Sequence, residues 1–435
     1  MVNKGDSSKQ LGLWTLTSLV VGGMIGSAIF SIPTTLAPYG GISLLGWAFA
    51  SAGALVLAKV FSKLSAVIPA IGGPYAFSRK AFGDLTGFIV AWGYWISIWT
   101  TNAAITITFV SYLSVFFPVL SENSLMAAIT GLATLWSLTL INSHSVKSGG
   151  NIQVVFTILK LLPILAITIV GFFFFEAAHF IPFNRSGSSS IQAITITTAF
   201  CLYAFVGFEA ATLPAGNVKN PAKTIPKATI IGTIFVTAIY ILSSLSLFGI
   251  LSPDQILTSV APYSDAAANL WGEKARYLVA AAACLSAFGA LNGWVLLQGQ
   301  LPLAMAKDDM MPKIFSKTNK NSSPSFGILI SSVIVSVLLI ANQSKGLNGI
   351  YAFVLLISAV TVLISYLASS LAFGKFMFKR SYGFKPSFTN ILLLIVSVGF
   401  SIWMFIGSGL EANLWSLGGI AAGLPIYYYY KHKKK

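Results

Sequence analysis

Apolar runs of roughly 20 residues, separated by short polar stretches, recur along the whole chain, each long enough as a helix to cross ~30 Å of hydrocarbon. They predict twelve spans, at approximately 13–38, 42–66, 84–117, 125–142, 151–175, 191–216, 228–250, 276–306, 325–342, 349–373, 386–406 and 412–430. A transmembrane β-barrel would instead show alternating segments of ~10 residues, and the sequence has none. The first run is too long for the apolar core of a secretory signal and lacks a cleavage site, so a retained helix is expected.

Composition agrees. Hydrophobic residues make up 56% of the 435 and charged residues 9%, against about 25% charged in soluble domains. The expectation is a multi-pass, all-α protein of the cell (inner or plasma) membrane. The net charge of +16 suggests nucleic acid until its placement is read. On a twelve-span layout, one face carries every Lys and Arg except Lys160, Arg185, Lys274, Arg276 and Lys345. That bias is the positive-inside rule and predicts cytoplasmic termini. The charge reports topology, with no nucleic-acid partner implied. Cys201 and Cys284 both fall in apolar segments, where small apolar fillers are expected rather than a disulfide framework or a zinc site.

Two charges fall inside the predicted spans: Lys160 in span five and Glu209 in span six. A charge at the bilayer centre costs at least ~2.5–3.5 kcal/mol, so such residues face a cavity, pair, or change protonation. The plain alternative is a buried structural charge satisfied by carbonyls or hydroxyls.

Spans one and six also share a pattern. GSAIFSIP (Gly26 to Pro33) and GFEAATLP (Gly207 to Pro214) have equal length, with Gly first, a hydroxyl sixth (Ser31, Thr212), an aliphatic seventh and Pro last. They lie five spans apart, and an odd offset means that the two halves insert with opposite orientation. Clustered Gly costs ~1 kcal/mol per residue in a helix interior, which favours unwinding. Unwound backbone is tolerated in a membrane only where it lines a cavity. The freed N–H groups of the second half-helix then face an anion, and the freed carbonyls of the first face a cation. An α-amino acid carries both groups close together. The competing reading of span one is close helix packing through Gly22 and Gly26, a GxxxG pair, which leaves the second broken segment unexplained.

The chain resembles the amino acid–polyamine–organocation (APC) transporters, in particular bacterial basic amino acid antiporters. The likeness rests on VVGGMIGSAIFSIP, AIGGPYAFSRKAFGDLTGFIVAWGYWIS, AFVGFEAATLPAGNVKNPAKTIPKA, and LNGWVLLQGQ followed by AKDDMMPKIF, and it is weaker beyond about residue 320. It implies a LeuT-type five-plus-five inverted repeat with helices 1 and 6 broken and two additional helices. The implied layout is an N-terminal tail (1–12), a first repeat (13–175), an outer linker (176–190), a second repeat (191–373), helices 11 and 12 (374–430) and a basic tail (431–435). It also implies a midplane site between spans 1, 3, 6, 8 and 10. Gly26, Ser27 and Ala28 would hold the carboxylate through backbone N–H groups. Met24, Tyr203, Ala204 and Val206 would offer carbonyls or wall contacts near the ammonium. Asn102, Trp294 and Ser358 would line the side-chain pocket, with Trp294 shaped to stack on a cation. Tyr94, Glu209 and Tyr366 would gate the inner side. The resemblance implies a small amino acid substrate, no cofactor, and an assembly that extends to a homodimer.

The sequence departs from the arginine/agmatine exchangers at Tyr203, where they carry Trp, and at Ala28, where they carry Gly. TILKLLP, with Lys160, is instead similar to arginine/ornithine exchangers and to proton-coupled broad-range members, in which the ammonium takes the place of a coupling sodium. Exchange of cationic amino acids or their amines is therefore expected, with proton-coupled symport of neutral amino acids as the alternative. A channel would show rings of charge or a repeated filter. An intramembrane enzyme would need paired carboxylates or a His cluster at depth, whereas His144, His179 and His432 fall in loops or the tail.

Overall fold

The computed structural model describes residues 11–68, 73–144, 150–212, 218–341 and 346–432. Among them the chain is helical throughout, with no strand beyond one isolated bridge pairing Leu11 with Val218. In chain order the helices are α1 (Leu13–Met24), α2 (Ser27–Leu36), α3 (Ser43–Val67), α4 (Pro74–Phe82), α5 (Asp84–Leu113), α6 (Val119–Glu122), α7 (Ser124–His144), α8 (Gly150–Gly171) and α9 (Ser190–Tyr203). They continue as α10 (Pro221–Ile250), α11 (Pro253–Thr258), α12 (Pro262–Trp271), α13 (Glu273–Lys307), α14 (Ser325–Ala341), α15 (Gly346–Phe378), α16 (Phe388–Gly407) and α17 (Gly409–His432).

Eight helical stretches are long and apolar enough to cross a membrane; the first, Leu13–Val67, runs from α1 through α3. Two further apolar stretches are Leu161–Phe174, which begins within α8, and Ser325–Ala341, which is α14. The first of the eight covers the first two predicted spans, the two further stretches fall in spans five and nine, and α17, in span twelve, is not among the eight. Large apolar side chains stand exposed along the outer faces, including Ile129 and Leu140 on α7, Leu278 and Leu285 on α13, and Ile395 and Ile406 on α16. Such a surface suits lipid.

The packing has an internal symmetry. In the first half α1 packs on α10, and in the second α9 packs on α3. Likewise α5 packs on α15, and α8 on α13. Three further contacts, α3 with α10, α5 with α13 and α7 with α14, join equivalent helices of the two halves. Exchanging the halves maps this contact set onto itself, as a repeat of inverted topology requires. Helices α16 and α17 pack outside it, on α3, α9, α5 and α15.

Each end of the bundle is pinned by polar contacts. On the face where α1 begins, Arg79 of α4 bonds Asp84 at 2.8 Å and Asp308, just past α13, at 2.9 Å. Tyr75 also donates to Asp308. Burial, then the Asp308 contact, pushes its hydroxyl well above the usual phenol range, so it stays a donor. On the opposite face the 176–190 linker ties back, with Ile42 N–H donating to the Phe183 carbonyl and Arg185 bonding Asp254 at 2.6 Å.

Candidate functional site

The first span is interrupted where the sequence places Gly26. Helix α1 ends at Met24, Ile25 turns out with φ −77° and ψ 86°, and Gly26 takes φ −125° and ψ −123° before α2 starts at Ser27. No side chain caps α2, so its opening N–H groups have no partner within the helix. The sixth span breaks at the matching place. Helix α9 ends at Tyr203, the next N–H groups reach back only three residues, and Gly207 sits at φ 111°. The chain then continues as a tight turn over Phe208–Thr212. Pro214 and Gly216 lie outside the described residues.

The two breaks touch. A Cβ on Gly207 would lie 2.9 Å from the Gly23 carbonyl carbon, so only glycine permits this approach. Tyr240 of α10 joins them from behind, its hydroxyl lying 2.6 Å from the Met24 carbonyl and 3.0 Å from that of Ala204. The sequence reading missed Tyr240; a tyrosine in an apolar span gives no signal until its partners are known.

Around the breaks lies a cavity of about 20 Å³ lined by Met24, Gly26, Ser27, Ala28, Tyr203, Val206 and Trp294, together with Gly23, Thr101 and Ile105. That volume is about one water, so the walls must part to admit an amino acid. Ser27 and Tyr203 face each other across it, oxygen to oxygen at 3.4 Å. Asn102, Ala204 and Ser358 stand one layer behind. Asn102 bonds Gln298 at 2.7 Å, Ala204 is held by Tyr240, and Ser358 pairs with Thr101 at 2.9 Å.

A second cavity of about 420 Å³ adjoins the first on the side where α1 begins. Its walls are small: Gly22, Gly23, Gly207, Gly289, Ala290 and Gly293, with Leu19, Tyr94, Ala210, Leu296, Leu297 and Gln300. Gly23 and Trp294 border both cavities, so Trp294 stands as the partition between them. The size suits a small-molecule pocket.

Beside it, Glu209 is fully buried and receives three hydrogen bonds. Tyr94 donates at 2.9 Å, Tyr366 at 3.1 Å and the Gly207 N–H at 3.2 Å. These come from α5, α15 and the break itself, so one side chain ties three elements together. Phe208 and Phe61 pack on the Tyr366 ring, with centroids at 4.9 and 5.6 Å. Lys160 lies on α8, which packs against α1 and α13; its side chain is outside the described residues.

Comparison with known proteins follows the same lines. The amino acid permease family model matches residues 11–428. A cadaverine/lysine antiporter of Escherichia coli is 35% identical over 339 residues, which is 77% of this chain and 75% of that protein. An arginine/agmatine antiporter of Chlamydia pneumoniae is 31% identical over all of this chain and 93% of its own. A putative arginine/ornithine antiporter of Bacillus subtilis is 29% identical over 98% of each. Among solved structures, MhsT in complex with L-phenylalanine superposes with a TM-score of 0.64 at 15% identity, over 93% of this chain and 99% of that one. That likeness carries the LeuT-type fold.

Proposed function

The chain belongs to the amino acid permease family, and on that premise we propose that it is a sodium-independent secondary carrier exchanging cationic amino acids, or their amines, by alternating access. The supporting observation is the pair of touching helix breaks beside a closed cavity. The uncapped start of α2 offers N–H groups and positive dipole to a carboxylate. The carbonyls that end α1 and α9 offer negative dipole to an ammonium. The relatives' names, cadaverine/lysine, arginine/agmatine and arginine/ornithine antiporters, support a cationic far end.

The cycle follows from the geometry. The small cavity is the closed site, and the larger one is the path to the cytoplasm, on the face where positive charge gathers. Opening toward that path requires Trp294 to swing and the broken half-helices to part from α13. The Glu209 cluster resists this, because Tyr94 and Tyr366 sit on helices that must separate from the break. Bound substrate shifts the balance by its own contacts with both breaks. Lys160, on α8, carries the charge that a sodium ion holds in coupled members of this fold. The carrier unit lies within one chain, so a homodimer would hold two independent sites.

Proton-coupled symport of neutral amino acids is the second reading, favoured by Lys160 in span five. Purified protein in liposomes separates the two. Exchange predicts saturable uptake of labelled lysine, arginine or ornithine that rises at least tenfold with unlabelled substrate inside. Symport predicts uptake driven by an inward pH step and indifferent to internal substrate. Linear uptake without saturation contradicts both.

A further inference from the structure

Gln298 of α13 and Asn102 of α5 are both fully buried, and three hydrogen bonds decide which way their amides face. The Ile328 carbonyl can only accept, so the Gln298 atom 3.2 Å from it is the amide nitrogen. That nitrogen also donates to Ser332 Oγ at 2.7 Å. Ser332 in turn pairs with Thr139, and Trp95 donates to the Gln298 backbone carbonyl at 3.0 Å, which fixes the glutamine on its helix. Gln298 Oε1 therefore faces Asn102 and takes its Nδ2–H at 2.7 Å. With its nitrogen committed, Asn102 is left with a buried Oδ1 that has no hydrogen-bond partner among the described residues. An unmet buried acceptor is costly, and a ligand N–H removes that cost. Asn102 stands one residue from Thr101 and three from Ile105, both of which line the closed cavity.

We propose that Gln298 is a positioning residue that sets substrate preference. By holding the Asn102 nitrogen, it leaves the Asn102 carbonyl oxygen as the pocket's acceptor, selecting far ends that donate N–H, an ammonium or guanidinium, over apolar ones. This rests on the carrier reading and on Asn102 facing the substrate. A site with a committed hydrogen-bonding group discriminates strongly against the analogue that lacks its partner. Loss of the commitment frees the Asn102 amide to turn and blurs the choice.

The test uses the full chain in liposomes and compares KM and Vmax for labelled lysine and for norleucine, its neutral counterpart. Gln298→Met is expected to lower the lysine-to-norleucine preference at least tenfold, mainly through KM for lysine. Adding Asn102→Asp to Gln298→Met is expected to restore the preference to within threefold, because a carboxylate presents oxygen whichever way it turns. Gln298→Ala carries the same expectation and serves where the Met variant does not reach the membrane. An unchanged preference in both Gln298 variants, or no rescue by Asn102→Asp, overturns the proposal while leaving the carrier reading intact. If the unaltered protein carries neither compound nor any other cationic amino acid, the carrier reading fails and takes this inference with it.

Discussion

Gly23 and Gly207 meet backbone to backbone: a Cβ on Gly207 would sit 2.9 Å from the carbonyl carbon of Gly23 and 3.0 Å from its oxygen. Gly207 also holds φ 111°, a conformation that L side chains rarely adopt. Gly207→Ala therefore adds strain of ~1–3 kcal/mol to a steric clash where the two broken helices touch. Initial uptake, normalised to protein in the membrane, should fall at least tenfold. Gly23→Ala should be milder, since its nearest contacts lie at 3.4 and 3.5 Å.

Tyr240 spans the two breaks with one hydroxyl. Tyr240→Phe keeps the ring packed between Trp47 and Phe205 but strips a donor from the Met24 and Ala204 carbonyls. Losing a buried hydrogen bond of this kind costs ~1–2 kcal/mol, so substrate KM should rise about 5- to 30-fold. Equal KM in the two proteins would show that the carbonyls need no such anchor.

Glu209 separates binding from transport. On the proposed cycle its three partners close the inner path, so Glu209→Ala leaves the carrier unable to re-form the inward-closed state. Exchange should slow by roughly 100-fold while substrate Kd shifts less than about threefold, as expected when a conformational step limits turnover. Tyr366→Phe and Tyr94→Phe, each removing one of the three donors, should fall between. Parallel loss of binding and exchange would assign Glu209 to the substrate itself.

Lys160 carries the coupling prediction. Lys160→Ala should abolish or uncouple exchange, since the variant lacks the charge proposed above to stand in for sodium. An unchanged rate and coupling would make the lysine structural.

Much of this was legible in the sequence because the membrane enforces strong rules. Apolar length gave the helices, and the matching octets that begin at Gly26 and Gly207 pointed to both interruptions. The site residues divide by how local their signals are. Gly26, Ser27 and Ala28 announce themselves through a run of weak helix formers, and the structure places them on the closed cavity. Asn102 is visible as a polar residue in an apolar span, but its pairing with Gln298 depends on two helices nearly 200 positions apart. Tyr240 and the Gly289–Gly293 wall were silent for the same reason. A tyrosine or a small residue in a transmembrane helix has many uses, and only the packing chooses among them. Counting apolar stretches gives eight because Leu13–Val67 joins the first two predicted spans, two more stretches are shorter, and α17 is not among them.

The most direct measurement is a structure of the protein in a lipid nanodisc with lysine or arginine bound. The account predicts α1 and α9 still interrupted at Gly26 and Ala204–Gly207, the substrate carboxylate within hydrogen-bonding distance of the Ser27 and Ala28 N–H groups, and its α-ammonium beside the carbonyls that close α1 and α9. Substrate density away from both interruptions, or continuous helices running through them, would contradict it.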